Sequence, residues 1–123
     1  MQLQRVCHNT LRWLISFSLG LMYQLPFGTQ LTDALVRVLH DAAVQCLDGH
    51  PDFLPDLTWC TSFRNGQPVE HWAISAFSRS YTRDEHLFDV DGVTIFVGPD
   101  AQARAAGHLL DWQPGVGVVQ VGT

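Results

Sequence analysis

Residues 88–112 read FDVDGVTIFVGPDAQARAAGHLLDW. The turn residues in this stretch dictate its local structure. Asp91-Gly92 is a turn dipeptide set between short apolar runs at 87–90 and 93–97, which read as neighbouring strands. Pro99 opens an alanine-rich stretch and Gly107 closes it, the usual order for a short helix of about two turns. Strand character returns at 108–112 and again at 116–121, across Gly115-Val116-Gly117, which reads as a bend. The order strand, strand, short helix, strand follows.

Upstream, Asn65-Gly66 is the strongest short hairpin signal, because both residues tolerate the positive φ of a type I′ turn. Arg64 then faces Gln67, Trp59 faces Trp72, and Cys60 faces His71. Residues 57–63 and 69–78 are the two strands, with Leu57, Trp59, Phe63, Trp72 and Ile74 on one face. Pro68 lacks an amide hydrogen one step from the turn and is the weak point of this register, where a bulged or longer loop would break it. Further upstream, Leu31, Leu35, Val38, Leu39, Ala42 and Cys46 make one apolar stripe at helical period. Asp48-Gly49 is expected to close that helix in the left-handed conformation, with Pro51 beyond it. Residues 8–23 suit an additional helix with Pro26 past its end.

The expected class is α+β: N-terminal helices followed by a mostly antiparallel or mixed β-sheet carrying one short helix. Residues 1–30 form an apolar helical segment and residues 31–123 the domain. The sequence has 123 residues, 46% of them hydrophobic and 15% charged, ample for one packed core. Net charge is −5 with seven Lys plus Arg scattered along the chain, which argues against direct nucleic-acid binding. Cys7, Cys46 and Cys60 are too few and too dispersed for a disulfide framework, so a reducing cytoplasm is expected. The apolar run 13–27 holds Gly20, Gln24 and Pro26 and falls short of a membrane span. Without a small-residue cleavage site behind it, it reads as a helix that is buried or faces a partner.

The opening stretch resembles the HesB-like, A-type iron–sulfur carrier family. The family shows an acidic residue and Gly-Val before a valine-rich run, then a short helix ending in Gly, then a hydrophobic-Asp-aromatic triplet. Asp91-Gly92-Val93, Gly107 and Leu110-Asp111-Trp112 stand at matching spacing, and Leu31-Thr32-Asp33-Ala34 resembles the opening of the family's first helix. The resemblance implies a curved sheet. It also exposes what this chain lacks. Where the family carries a cysteine in a Gly-Cys-Ser-Gly turn, this chain has Asn65-Gly66-Gln67-Pro68. Where the family ends in a Cys-x-Cys pair, this chain ends in Gly122-Thr123. No cluster ligand carries over, and no cofactor is expected.

The remaining chemistry is thin. Cys60 and His71, opposed across the hairpin, could share a proton or give a metal two ligands. A structural metal site wants about four, and a cysteine in a strand commonly acts as a small hydrophobe. His40, Cys46 and His50 do not share a helix face. Glu70 and His71 are adjacent in a strand and point apart. No nucleophile elbow or phosphate loop is present, and no catalytic residue is assigned. The aromatic residues read as core. The expected function is therefore a non-catalytic, cluster-free HesB-like domain that binds another protein. A small acidic inhibitor or adaptor for a basic partner is one alternative; a metal- or thiol-dependent protein using Cys60 and His71 is the other.

Overall fold

The structure, a computed structural model, describes residues 22–122. It begins with strands. β1 (Met22–Gln24) and β2 (Gln30–Thr32) run antiparallel, with Tyr23 opposite Leu31. Pro26 bars helix between them, and Gly28 at φ +82° lets the chain reverse, with Leu25 N–H donating to the Thr29 carbonyl at 2.8 Å. β2 leads directly into α1 (Asp33–Gly49), whose N-cap is Thr32. The Thr32 hydroxyl accepts from Leu35 N–H at 3.3 Å and donates to Asp111 at 2.5 Å, tying the helix start to a distant strand.

The hairpin β3 (Phe53–Arg64) and β4 (Gln67–Ser78) follows, then two one-turn 3-10 segments, Arg79–Tyr81 and Asp84–His86. β5 (Leu87–Val90), β6 (Val93–Phe96), α2 (Pro99–Ala105), β7 (Leu109–Gln113) and β8 (Gly117–Val121) complete the order. The strands form two mixed four-stranded sheets, β1-β2-β7-β8 and β4-β3-β6-β5. Each has one parallel pair, β2 with β7 and β3 with β6. α1 packs on β3 and β6 of one sheet and on β7 of the other. Leu25, Leu31, Leu35, Leu39, Leu57, Ile95 and Leu110 are fully buried between these layers. Each such side chain contributes about 1.5–3 kcal/mol relative to exposure.

This corrects the expected class. The described chain is mostly β, with eight strands in two sheets and two helices, and its long helix follows β1 and β2. It is not an α+β chain with N-terminal helices ahead of one sheet. The expected helix over 8–23 lies outside the described residues except for Met22 and Tyr23, which are strand. Leu25 and Thr29 are buried in the same core as the rest, and Tyr23 donates to the Asp89 carbonyl at 2.7 Å.

Other expectations hold or shift locally. The order strand, strand, short helix, strand over 87–113 is observed, with Gly107 at φ +76° just past α2. Leu31 is strand, and Thr32 takes the cap position ahead of the helix. Val36, with Leu35 and Leu39, is buried, while Val38 and Ala42 are half-buried, because two sheets flank the helix and widen its apolar arc. Gly49 stays helical; α1 ends when His50 turns extended ahead of Pro51, its N–H donating to the Cys46 carbonyl at 2.8 Å. No helix among the described residues is long and apolar enough to cross a membrane.

Candidate functional site

The hairpin closes on a two-residue loop. Asn65 and Gly66 have φ of +53° and +79°, the positive pair a type I′ turn requires. Arg64 faces Gln67, Trp59 faces Trp72 and Cys60 faces His71, as the sequence predicts. Pro68 does not disturb this register, and parity explains why. The pair closing such a loop is hydrogen-bonded, so every second pair is not, and Phe63–Pro68 is one of the latter. The Pro68 nitrogen points to the free edge of β4, where no ladder donor is needed. Arg79 N–H donating to the Asp52 carbonyl, at 2.7 Å, keeps the same parity at the far end.

Two faces result. Leu57, Trp59, Trp72 and Ile74 turn inward, and Trp59 and Trp72 meet edge to face at 5.4 Å. Phe63 shares their parity but is 73% exposed, because the hairpin tip projects past the core. The opposite face carries Asp56, Thr58, Cys60 and Ser62 on β3, with Ser75, Ala73, His71 and Val69 facing them on β4. His71 is its most connected member. Its Nδ1 lies 3.0 Å from the Trp72 carbonyl, and a carbonyl only accepts, so in the neutral ring Nδ1 bears the proton. Nε2 is then the acceptor, with Ser62 Oγ at 3.0 Å, while Cys60 Sγ lies beside the ring, 3.7 Å from Nε2 and 4.0 Å from Nδ1.

Asp56 was not singled out by sequence reasoning. It is 8% exposed; Oδ2 accepts from the Ser75 hydroxyl at 3.2 Å, and Oδ1 has no partner among the described residues. Burial pushes its carboxyl above the ordinary range, and the Ser75 hydrogen bond only partly offsets this. Asp56 precedes the strand that the sequence predicts at 57–63; β3 begins earlier, at Phe53, and carries Asp56 on the same face as Cys60. Near the start of β3, Asp52 behaves oppositely. Hydrogen bonds from Ser78 and Ser80 lower its pKa.

A groove of about 580 Å³ lies where β4, the edge of one sheet, approaches β8, the edge of the other. Val69, Trp72, Val116 and Val118 give it apolar walls, and Arg64 and His71 give it a polar rim. Trp72 Nε1 donates to Gln120 Oε1 at 3.2 Å across it.

The other residues considered from sequence stand apart. His40 is half-buried with Nε2 3.2 Å from the Val90 carbonyl. Cys46 is half-buried, with its thiol pKa raised by desolvation, and His50 accepts from Asp52 N–H at 3.0 Å. Glu70 lies on the face opposite His71. No group of three or more His, Cys, Asp or Glu converges among the described residues.

No family model and no curated protein sequence matches the chain. Among solved structures, the chain is similar to the solution NMR structure of a protein from Aquifex aeolicus, determined by the Northeast Structural Genomics Consortium. The TM-score is 0.53 at 20% identity, over 82% of this chain and 96% of that one. At that identity the likeness is one of fold.

Proposed function

We propose that this chain is a HesB-like domain without cluster chemistry, acting by binding another protein in the groove between β4 and β8. The observation that carries the reading is the groove itself, apolar in its walls and bordered by two strand edges. By parity, Glu70, Trp72, Ile74 and Ala76 direct their backbone groups away from β3. Such an edge is a ready template for an added strand, and apolar walls beside it give side chains somewhere to go. Val116, at its mouth, is 70% exposed, as an isolated apolar residue on a turn serves no core. The family resemblance supports the same reading from the opposite side. The turn position where the family has a cysteine holds Asn65-Gly66, whose backbone geometry serves only the hairpin.

Two measurements test this. Anaerobic incubation with iron and sulfide should leave the protein without stoichiometric cluster absorbance; a stoichiometric cluster would contradict it. Affinity capture should retain a partner on the wild-type chain and lose it on Val116→Asp, a substitution on an exposed turn that leaves the melting temperature unchanged. Equal retention by both would move the binding site elsewhere.

A further inference from the structure

We infer that the occupant of the groove is an extended segment in which apolar and acidic side chains alternate, an inference that rests on the groove being a protein-binding site. The backbone sets the conformation. Glu70 and Trp72 line the groove from the free edge of β4, and no strand ladder joins β4 to β8. The Trp72 carbonyl gives one lone pair to His71 Nδ1, and its second remains for an incoming amide. A strand added at this edge turns successive side chains to opposite faces.

The two faces differ in chemistry. On one, Trp72 is buried beside Val118, and its indole N–H meets Gln120 between the strands. Side chains of the occupant that turn this way meet apolar walls. Glu70 projects on the same side as Trp72 and repels an acid placed among them. The opposite face carries Ser62 and Arg64 on β3, with Val69 and His71 on β4. Arg64 sits one strand in from the edge, yet it lines the groove. It is exposed and meets no hydrogen-bond, ion-pair or ring partner among the described residues. Arg37 and Arg83 are instead paired with Asp33 and Glu85, and Arg104 lies over the Trp59 ring. A carboxylate in the occupant's second row complements the unpaired guanidinium, whose planar fork matches it. On a chain of net charge −5, this rim reverses the preference that the rest of the surface has for basic partners.

NMR titration of the labelled full chain with two short peptides tests the inference. One alternates valine with glutamate, the other valine with lysine. The glutamate peptide should shift the amides of Glu70, Trp72 and residues 118–120. It should bind at least about fivefold more tightly than the lysine peptide at low salt. Added salt should shrink the preference, because a rim charge is screened. Arg64→Glu should reverse it, with an unchanged melting temperature showing that the variant folds. Equal or tighter binding of the lysine peptide at the same wild-type amides overturns the inference and leaves the groove as the binding site. A preference that survives Arg64→Glu also overturns it. Shifts at these amides on dilution of the protein alone would make the occupant a second copy of this chain, which overturns it as well. If neither peptide moves these amides, the groove reading and this inference fall together.

Discussion

Single residues decide the hairpin and set its pH response. Gly66 sits at φ +79° with open space around a would-be Cβ, so Gly66→Ala meets only backbone strain. That strain is worth about 1–2 kcal/mol in the left-handed region. The urea midpoint should fall accordingly at constant slope, and an unchanged midpoint would rule out the turn geometry described. Asp56 acts through burial. Its folded pKa lies above the ordinary 3.8, so between those two values the native state holds more protons than the unfolded chain. Stability from this group is therefore fullest below about pH 4 and falls as pH rises through the folded pKa. Asp56→Asn should flatten that decline relative to wild type, and Ser75→Ala should steepen it by removing the hydroxyl that donates to the carboxylate. Parallel stability–pH curves for wild type and Asp56→Asn would show that the carboxyl titrates normally. The sequence displayed Gly66 openly, since few residues other than Gly suit that turn. It did not display Asp56, which precedes the strand predicted at 57–63, because burial of a carboxyl is decided by strands distant in the chain.

At the level of elements, α1 carries the packing that joins the two sheets. Leu39 is fully buried there, and Leu39→Ala should cost about 2–5 kcal/mol through lost transfer energy and a residual cavity. Thermal denaturation would register this as a drop of many degrees, and a loss under 1 kcal/mol would place Leu39 outside the core. Thr32→Ala removes the cap and the link to Asp111 together, and should cost about 1 kcal/mol or more. Thr32→Ser, which keeps the hydroxyl, should recover most of it. The hairpin, the strand–helix–strand run and the apolar stripe were all legible, because turn dipeptides and periodicity are local signals. The start of the chain was not. Residues 22–32 are apolar enough to resemble helix, yet Leu31 pairs with Leu110 from the other end of the described chain. β2 gains that partner from far along the chain, while β1 pairs with β2.

For the whole molecule, the same non-local pairing closes two mixed sheets around α1 and brings the edges of β4 and β8 together. Neither edge is visible in the sequence, so the groove between them was not legible, although Val69, Trp72, Val116 and Val118 each read as ordinary strand residues. The opposition of Cys60 and His71 was legible, because one turn fixes it; the Ser62 hydroxyl and the Trp72 carbonyl that orient the ring were not. The central claim is that a protein partner occupies this groove. Hydrogen exchange on the complex with the captured partner tests it most directly. Slowed exchange at the outward amides of Glu70, Trp72 and Ile74, together with residues 117–120, is the predicted result. Protection confined to other surfaces, with these amides exchanging as in the free chain, would contradict it.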